Sequence, residues 1–197
     1  HRPDAHGGGA SMSSYPIPHV VSRDSRGERI VDLYSHLLGH RIVYLGTGID
    51  DGVANAVIAQ LLHLDAESPD QAIDLYLNSP GGSLTAMLAI ADTMAYLRAP
   101  VATSCVGQAV ADAAVLLACG EPGRRTMLPR SRAILRQPQT EGGRAGIPDL
   151  IVAADEIARQ RVEVEELLAR ATGRTPEQLR QDMARDRVLR PAEAVGF

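Results

Sequence analysis

Two glycine corners constrain this chain more than any other feature, because at each one a strand-like run hands over to a helix-like run. Pro80-Gly81-Gly82-Ser83 follows the apolar alternation Ile73-Asp74-Leu75-Tyr76-Leu77-Asn78, and Val106-Gly107-Gln108-Ala109 follows Val101-Ala102-Thr103-Ser104-Cys105. Paired corners of this kind aim backbone N–H groups into one cleft, a layout suited to holding an acyl oxyanion. The surrounding segments keep the same rhythm. A short strand spans 41–45. A helix starts at Asp50 and Asp51, with Val53, Val57, Ile58, Leu61 and Leu62 on one face. Strands at 72–77 and 101–106 are followed by helices at 83–98 and 110–119, which Pro100 and Gly120 close. Alternation of this type predicts βα units on a mainly parallel sheet, hence an α/β fold.

At the second corner chemistry calls for a nucleophile, yet the residues are Ala109-Val110-Ala111-Asp112, with no serine, cysteine or threonine. A base is missing too. All six histidines, at 1, 6, 19, 36, 40 and 63, precede the second corner. A serine or cysteine nucleophile needs an imidazole or equivalent base within hydrogen-bond reach.

Elsewhere the chain reads as one domain from residue 18 to 197, preceded by a flexible glycine- and serine-rich tail over 1–17. Ser25 and Glu28 have capping-box spacing and predict a helix carrying Ile30, Leu33, Tyr34, Leu37 and Leu38. A polar, glycine-containing stretch at 137–147 leads into a long helix over 148–172, with Pro148 in its first turn and Gly173 at its C-cap. That helix carries Ile151, Ile157, Val162, Leu167 and Leu168 among many charges, an apolar stripe that calls for a covering partner. With 3% aromatic residues and a net charge of −4, the chain is not built to bind nucleic acid. Cys105 and Cys119 make neither a disulfide framework nor a zinc-ligand spacing, so no metal is expected and a reducing compartment is. No apolar run reaches about 18 residues, so no membrane span is expected and the predicted location is cytoplasmic.

From about Ile17 onward the chain resembles the proteolytic subunit of the ATP-dependent Clp protease, the ClpP family of serine peptidases. The resemblance is carried by Pro18-His19-Val20-Val21, Ser25-Arg26-Gly27-Glu28-Arg29, Leu75-Tyr76-Leu77-Asn78-Ser79-Pro80-Gly81-Gly82-Ser83 and Cys105-Val106-Gly107-Gln108-Ala109. It continues through Leu128-Pro129-Arg130-Ser131-Arg132, Gln137-Pro138, Thr172-Gly173 and Arg185-Asp186-Arg187, in order and at near-constant spacing. It implies a spiral of ββα units: a head over 18–136 and 174–197, and a projecting handle helix and strand over 137–173. Two heptameric rings would stack through the handles into a tetradecamer, fed by a hexameric AAA+ Clp unfoldase, with no cofactor. The axial loop would be formed by residues 18–26.

Carried onto this chain, the family's serine falls at Ala111, its histidine at Arg136 and its aspartate at Asp186. The oxyanion-hole positions fall at Gly82 and Asp112, the latter normally apolar. A carboxylate there opposes a developing oxyanion, and a guanidinium does not release its proton near neutral pH. The resemblance also puts Tyr76, Tyr96 and Val106 on an unfoldase-docking surface, with Asp74, Ser104 and Thr126 at positions expected to be aromatic or aliphatic. The leading reading is a pseudo-peptidase subunit that builds ring and chamber beside an active paralogue. Arg136 is then expected to pair with Asp186, sharing Asp112, as a structural lock on a partly buried carboxylate. Two alternatives stand beside it. An active endopeptidase carrying a single knock-out at Ala111 would leave Arg136 and Asp112 unexplained. A crotonase-type acyl-CoA enzyme shares the spiral but not the Gln137-Pro138 or Ser25-Arg26-Gly27-Glu28-Arg29 stretches.

Overall fold

The computed structural model describes residues 16–139 and 146–197, which divide into two compact units, one ending at His36 and the other running over Leu37–Phe197. The tail expected over 1–17 lies, except for its last two residues, outside the described residues.

The first unit is a β-hairpin, not the start of a helix. Strand β1 (His19–Asp24) pairs antiparallel with β2 (Gly27–Asp32), and the register closes on Asp24 opposite Gly27. Asp24 accepts the Arg26 N–H at 2.7 Å, and Gly27 adopts φ 123°, a conformation that side chains resist. The Ser25 and Glu28 spacing therefore serves a turn and the strand after it. Ile30, assigned to the helix on its spacing, is a strand residue and is 74% exposed. Helix α1 is confined to Leu33–Gly39.

The second unit is built on a mixed sheet in the order β3-β4-β5-β7-β8, with β6 also paired to β5. Strands β3 (Ile42–Leu45), β4 (Ile73–Ser79) and β5 (Val101–Val110) run parallel. β6 (Arg125–Met127) and β7 (Arg132–Leu135) are parallel to β5, and β8 (Arg187–Leu189) returns antiparallel beside β7. Period-2 alternation sorts the faces of β4: Ile73, Leu75, Leu77 and Ser79 are buried, whereas Asp74, Tyr76 and Asn78 face the other way.

Helix α2 (Asp51–Glu67) begins where Asp50 accepts the Val53 N–H at 2.8 Å. It buries Ala54, Val57, Leu61 and Leu64, so its inward stripe is rotated from the expected one, and Leu62 is 44% exposed. Helix α3 (Leu84–Tyr96) is capped by Ser83 and buries Met87, Ile90 and Met94. β5 runs past the expected end at 106 to Val110, so α4 (Asp112–Ala118) starts later than its sequence suggests.

Helix α5 (Ile147–Thr172) has Pro148 in its first turn and ends at Gly173 in the left-handed region, φ 73°. Only Val164, Glu165 and Leu168 of α5 are buried, all near its C-terminus. There Arg180 of α6 (Pro176–Asp182) holds the buried Glu165 carboxylate with two bonds, at 3.1 and 2.8 Å. Upstream, Ile147, Leu150, Ile151, Val152 and Val162 are exposed. Residues 137–139, at the start of the expected handle, are not in a strand, and 140–145 lie outside the described residues. The chain closes with α7 (Pro191–Gly196). Mixed α/β architecture is what the resemblance implies, and it is observed.

Candidate active site

Strands β4, β5 and β7 are mutually parallel in the sheet, so their C-terminal ends open on one edge, where α/β sheets place their sites. The first wall is the turn after β4. Gly81 has φ 91°, and a Cβ on it would lie 2.7 Å from the Val110 carbonyl oxygen. A Cβ on Gly82 would collide with the Ile49 carbonyl. These two glycines are therefore required by close backbone approach rather than by loop flexibility.

The second wall is the end of β5. Ala111 adopts φ 52° and ψ −109° as it passes from strand to helix, one of two non-glycine residues with positive φ among those described. Its N–H donates to the Ile134 carbonyl at 2.8 Å, and its own carbonyl accepts from Val115. This sharp strand-to-helix corner would lift a nucleophile out of the sheet, but it carries a methyl group. Next to it Asp112 opens α4, and its carboxylate accepts the Gly82 N–H at 3.2 Å. Burial pushes the Asp112 carboxyl up, and the bond from Gly82 partly opposes that shift.

The third wall comes from register. β7 and β8 pair Leu135 with Arg187, so the next residue of one strand and the preceding residue of the other, Arg136 and Asp186, fall side by side. The Arg136 Nε donates to Asp186 Oδ1 at 2.9 Å and Nη2 to Oδ2 at 2.6 Å, a bidentate pair. The hydrogen bonds from Arg136 hold the Asp186 carboxyl below its usual range and in turn raise the guanidinium. One part of the lock expectation changes. The paired side chains are 37% and 50% exposed, and Asp112 turns to Gly82 instead of sharing Arg136.

Gly82, Ala111, Asp112 and Arg136 thus line one cleft of about 410 Å³, with Pro80, Ser83, Gln137, Pro138 and Gln160 among its other walls. No histidine or cysteine is among its described lining residues. His63 lies on α2, 3.3 Å from Glu67. Among the described residues no cluster of three metal-ligating side chains occurs, and no helix is long and apolar enough to cross a membrane.

The expected docking residues are distributed over three elements, β4, β5 and α3. Tyr76 stands in a row across the sheet's open face, in register with Tyr44 on β3 and Ser104 on β5, and Ser104 with Thr126 on β6. The Ser104 and Thr126 hydroxyls bond each other at 2.7 Å. Val106 lies two residues further along β5, whereas Tyr96 ends α3 and is 81% exposed. Sequence reasoning missed Tyr44, whose place in this row depends on strand register.

Comparison with known proteins agrees with this geometry. The family model described as Clp protease matches residues 25–197. The ATP-dependent Clp protease proteolytic subunit 1 of Nocardia farcinica is 59% identical over 94% of each chain. Subunit 4 of Rhodococcus jostii is 56% identical over 94% of this chain and 95% of its own, and subunit 2 of Streptomyces avermitilis 52% over 94% and 93%. With strand-to-glycine corners, a strained elbow and a family match that extends across the cleft, the chain belongs to the Clp protease proteolytic subunit family.

Proposed function

We propose that this chain is a catalytically inactive subunit of a Clp protease complex, a pseudo-peptidase that builds ring and chamber while a paralogous subunit cleaves peptides. The observation that carries this reading is the cleft itself: a methyl group at the elbow, and a guanidinium bonded to the aspartate that would otherwise orient an imidazole. Triad members act as a unit, so loss of both serine and histidine removes general-base and nucleophilic catalysis together.

The structural role is supported by the exposed apolar residues Ile147, Leu150, Ile151 and Val162 on α5, a surface suited to burial between stacked heptameric rings, with itself or with a paralogue. The subunit numbers in its relatives' names fit a set of paralogues. Asp74 and the hydroxyl pair Ser104 and Thr126 replace apolar anchors on the open sheet face beside Tyr76 and Val106. An unfoldase that docks through hydrophobic loops would therefore engage mainly the partner ring.

The test is turnover. The purified chain should hydrolyse neither fluorogenic peptides nor casein, and should not react with fluorophosphonates. Cleavage above a buffer blank, abolished by a serine-directed inhibitor, would overturn the reading.

A further inference from the structure

The backbone N–H groups of the Gly81-Gly82 turn can be accounted for one by one. The Gly81 N–H donates to Ser79 Oγ at 3.1 Å. The Gly81 carbonyl accepts from Ile49 at 2.9 Å, and the Ser83 N–H donates to the Ile49 carbonyl at 2.8 Å. One donor in the turn has no use in this ladder, the Gly82 N–H, and it faces the cleft. It is the group an oxyanion hole needs. Here Asp112, thirty positions along the chain, supplies a carboxylate oxygen to it at 3.2 Å. A Cβ on Gly81 would sit 3.6 Å from the Asp112 backbone nitrogen, so the turn and the start of α4 are already in close approach. The carboxylate therefore reaches the amide with little displacement of either element.

We propose that Asp112 is a built-in occupant of the oxyanion hole: its carboxylate stands where the oxygen of a tetrahedral intermediate would form, and it ties the Gly82 turn to α4. This rests on reading the cleft as a former peptidase site, but it adds a second block that is independent of Ala111 and Arg136. Water or a substrate carbonyl is neutral and competes poorly for an N–H already bonded to an ionised oxygen. A developing oxyanion is worse placed still, because it would share one donor with a negative charge. Removing a single oxyanion-hole donor costs about a hundred- to a thousandfold in rate, so the occupied amide alone would slow the site by about that factor. Restoring the two missing triad residues would then leave the chain at least about a hundredfold short of an open site. The contact also gives Asp112 a positive role: it joins the walls contributed by the ends of β4 and β5.

The experiment uses the assembled, full-length chain. Hydrogen exchange at the Gly82 amide is read residue by residue in the unmodified chain, Asp112→Asn and Asp112→Ala. With Asp112→Ala, Gly82 should exchange at least about tenfold faster, as an amide released from its partner does, whereas Ser83, bonded to Ile49, should be unchanged. Asp112→Asn keeps an acceptor oxygen and should hold intermediate protection, which also guards against a misfolded alanine variant. Fluorophosphonate labelling then compares Ala111→Ser/Arg136→His with the same pair plus Asp112→Ala. The triple variant should label at least about a hundredfold faster. Equal Gly82 exchange in the unmodified chain and Asp112→Ala, or equal labelling of double and triple variants, overturns the proposal. Peptide turnover by the unmodified chain would instead overturn the pseudo-peptidase reading and leave the exchange result standing.

Discussion

Ala111 is held at φ 52° and ψ −109°, where its Cβ crowds the backbone, and the substitution Ala111→Gly isolates that strain. A non-glycine residue fixed in a sparsely populated region costs on the order of 1–3 kcal/mol. Glycine returns roughly 0.5–1 kcal/mol of this through its greater freedom in the unfolded chain. Loss of one half-buried methyl group costs a further ~0.4 kcal/mol, half the value for a fully buried carbon. The balance is about 1 kcal/mol in favour of glycine, an increase in Tm of about 2–4 °C for a chain of this size. Calorimetry at one fixed protein concentration would measure it, because any self-association would make Tm concentration-dependent. Ala111→Ser keeps the Cβ and should give no such gain. A glycine variant that melts at or below the unmodified Tm would show that the elbow is not strained and that its corner geometry carries no stored cost.

Two further outcomes are expected. Arg180→Ala should lower Tm more than the double change Arg180→Ala with Glu165→Met, because the single change strands a buried carboxylate and the double removes it. In a Tm-against-pH profile the two site carboxylates should act with opposite sign. Arg136 lowers the Asp186 carboxyl, so its contribution is present at neutral pH and is lost as pH falls through the lowered value. That limb should be shallow and weaken at high salt, because the pair is half-exposed. Burial raises the Asp112 carboxyl, so its contribution is present at acid pH and is lost as pH rises through the raised value. Asp112→Asn should remove that decline and Asp186→Asn the acid limb.

Where one residue's chemistry decides a local structure, the chain could be read directly. Asp50 and Ser83 cap helices because short polar side chains reach the N–H groups two or three residues on, and Gly173 ends α5 because only glycine takes the left-handed turn without cost. The Arg136 and Asp186 pair followed from the family resemblance and from arginine's two-pronged geometry, whereas the strained corner at Ala111 lies inside what reads as the helix over 110–119. Signals with two physical meanings misled. Serine followed by glutamate three positions on fits a helix cap, but Asp24 and Gly27 around it make a tight hairpin turn, and strand pairing wins. The inward face of α2 turned by one position because Leu64, just beyond the residues first grouped, completes a better buried stripe than Leu62. The resemblance brings Gly82 and Asp112 to one oxyanion hole, but the bond between them had no signal, because a carboxylate bonded to an amide thirty positions away is fixed only by the crossing of two chain segments.

Strand β5 serves two neighbours in succession: Thr103 to Cys105 pair with β6, and Gln108 to Val110 pair with β7. Between them Gly107 takes φ 73°, where a Cβ would press within 2.9 Å of the Asn78 side-chain oxygen. One strand therefore sets the phase of both the open-face row at Ser104 and the cleft wall at Ala111. A slip of one residue in β5 would turn the hydroxyl row inward and swing the elbow away from Gly82 in the same step. The open-face row and the cleft wall cannot drift independently, and a lineage that altered one by insertion would have to rebuild the other.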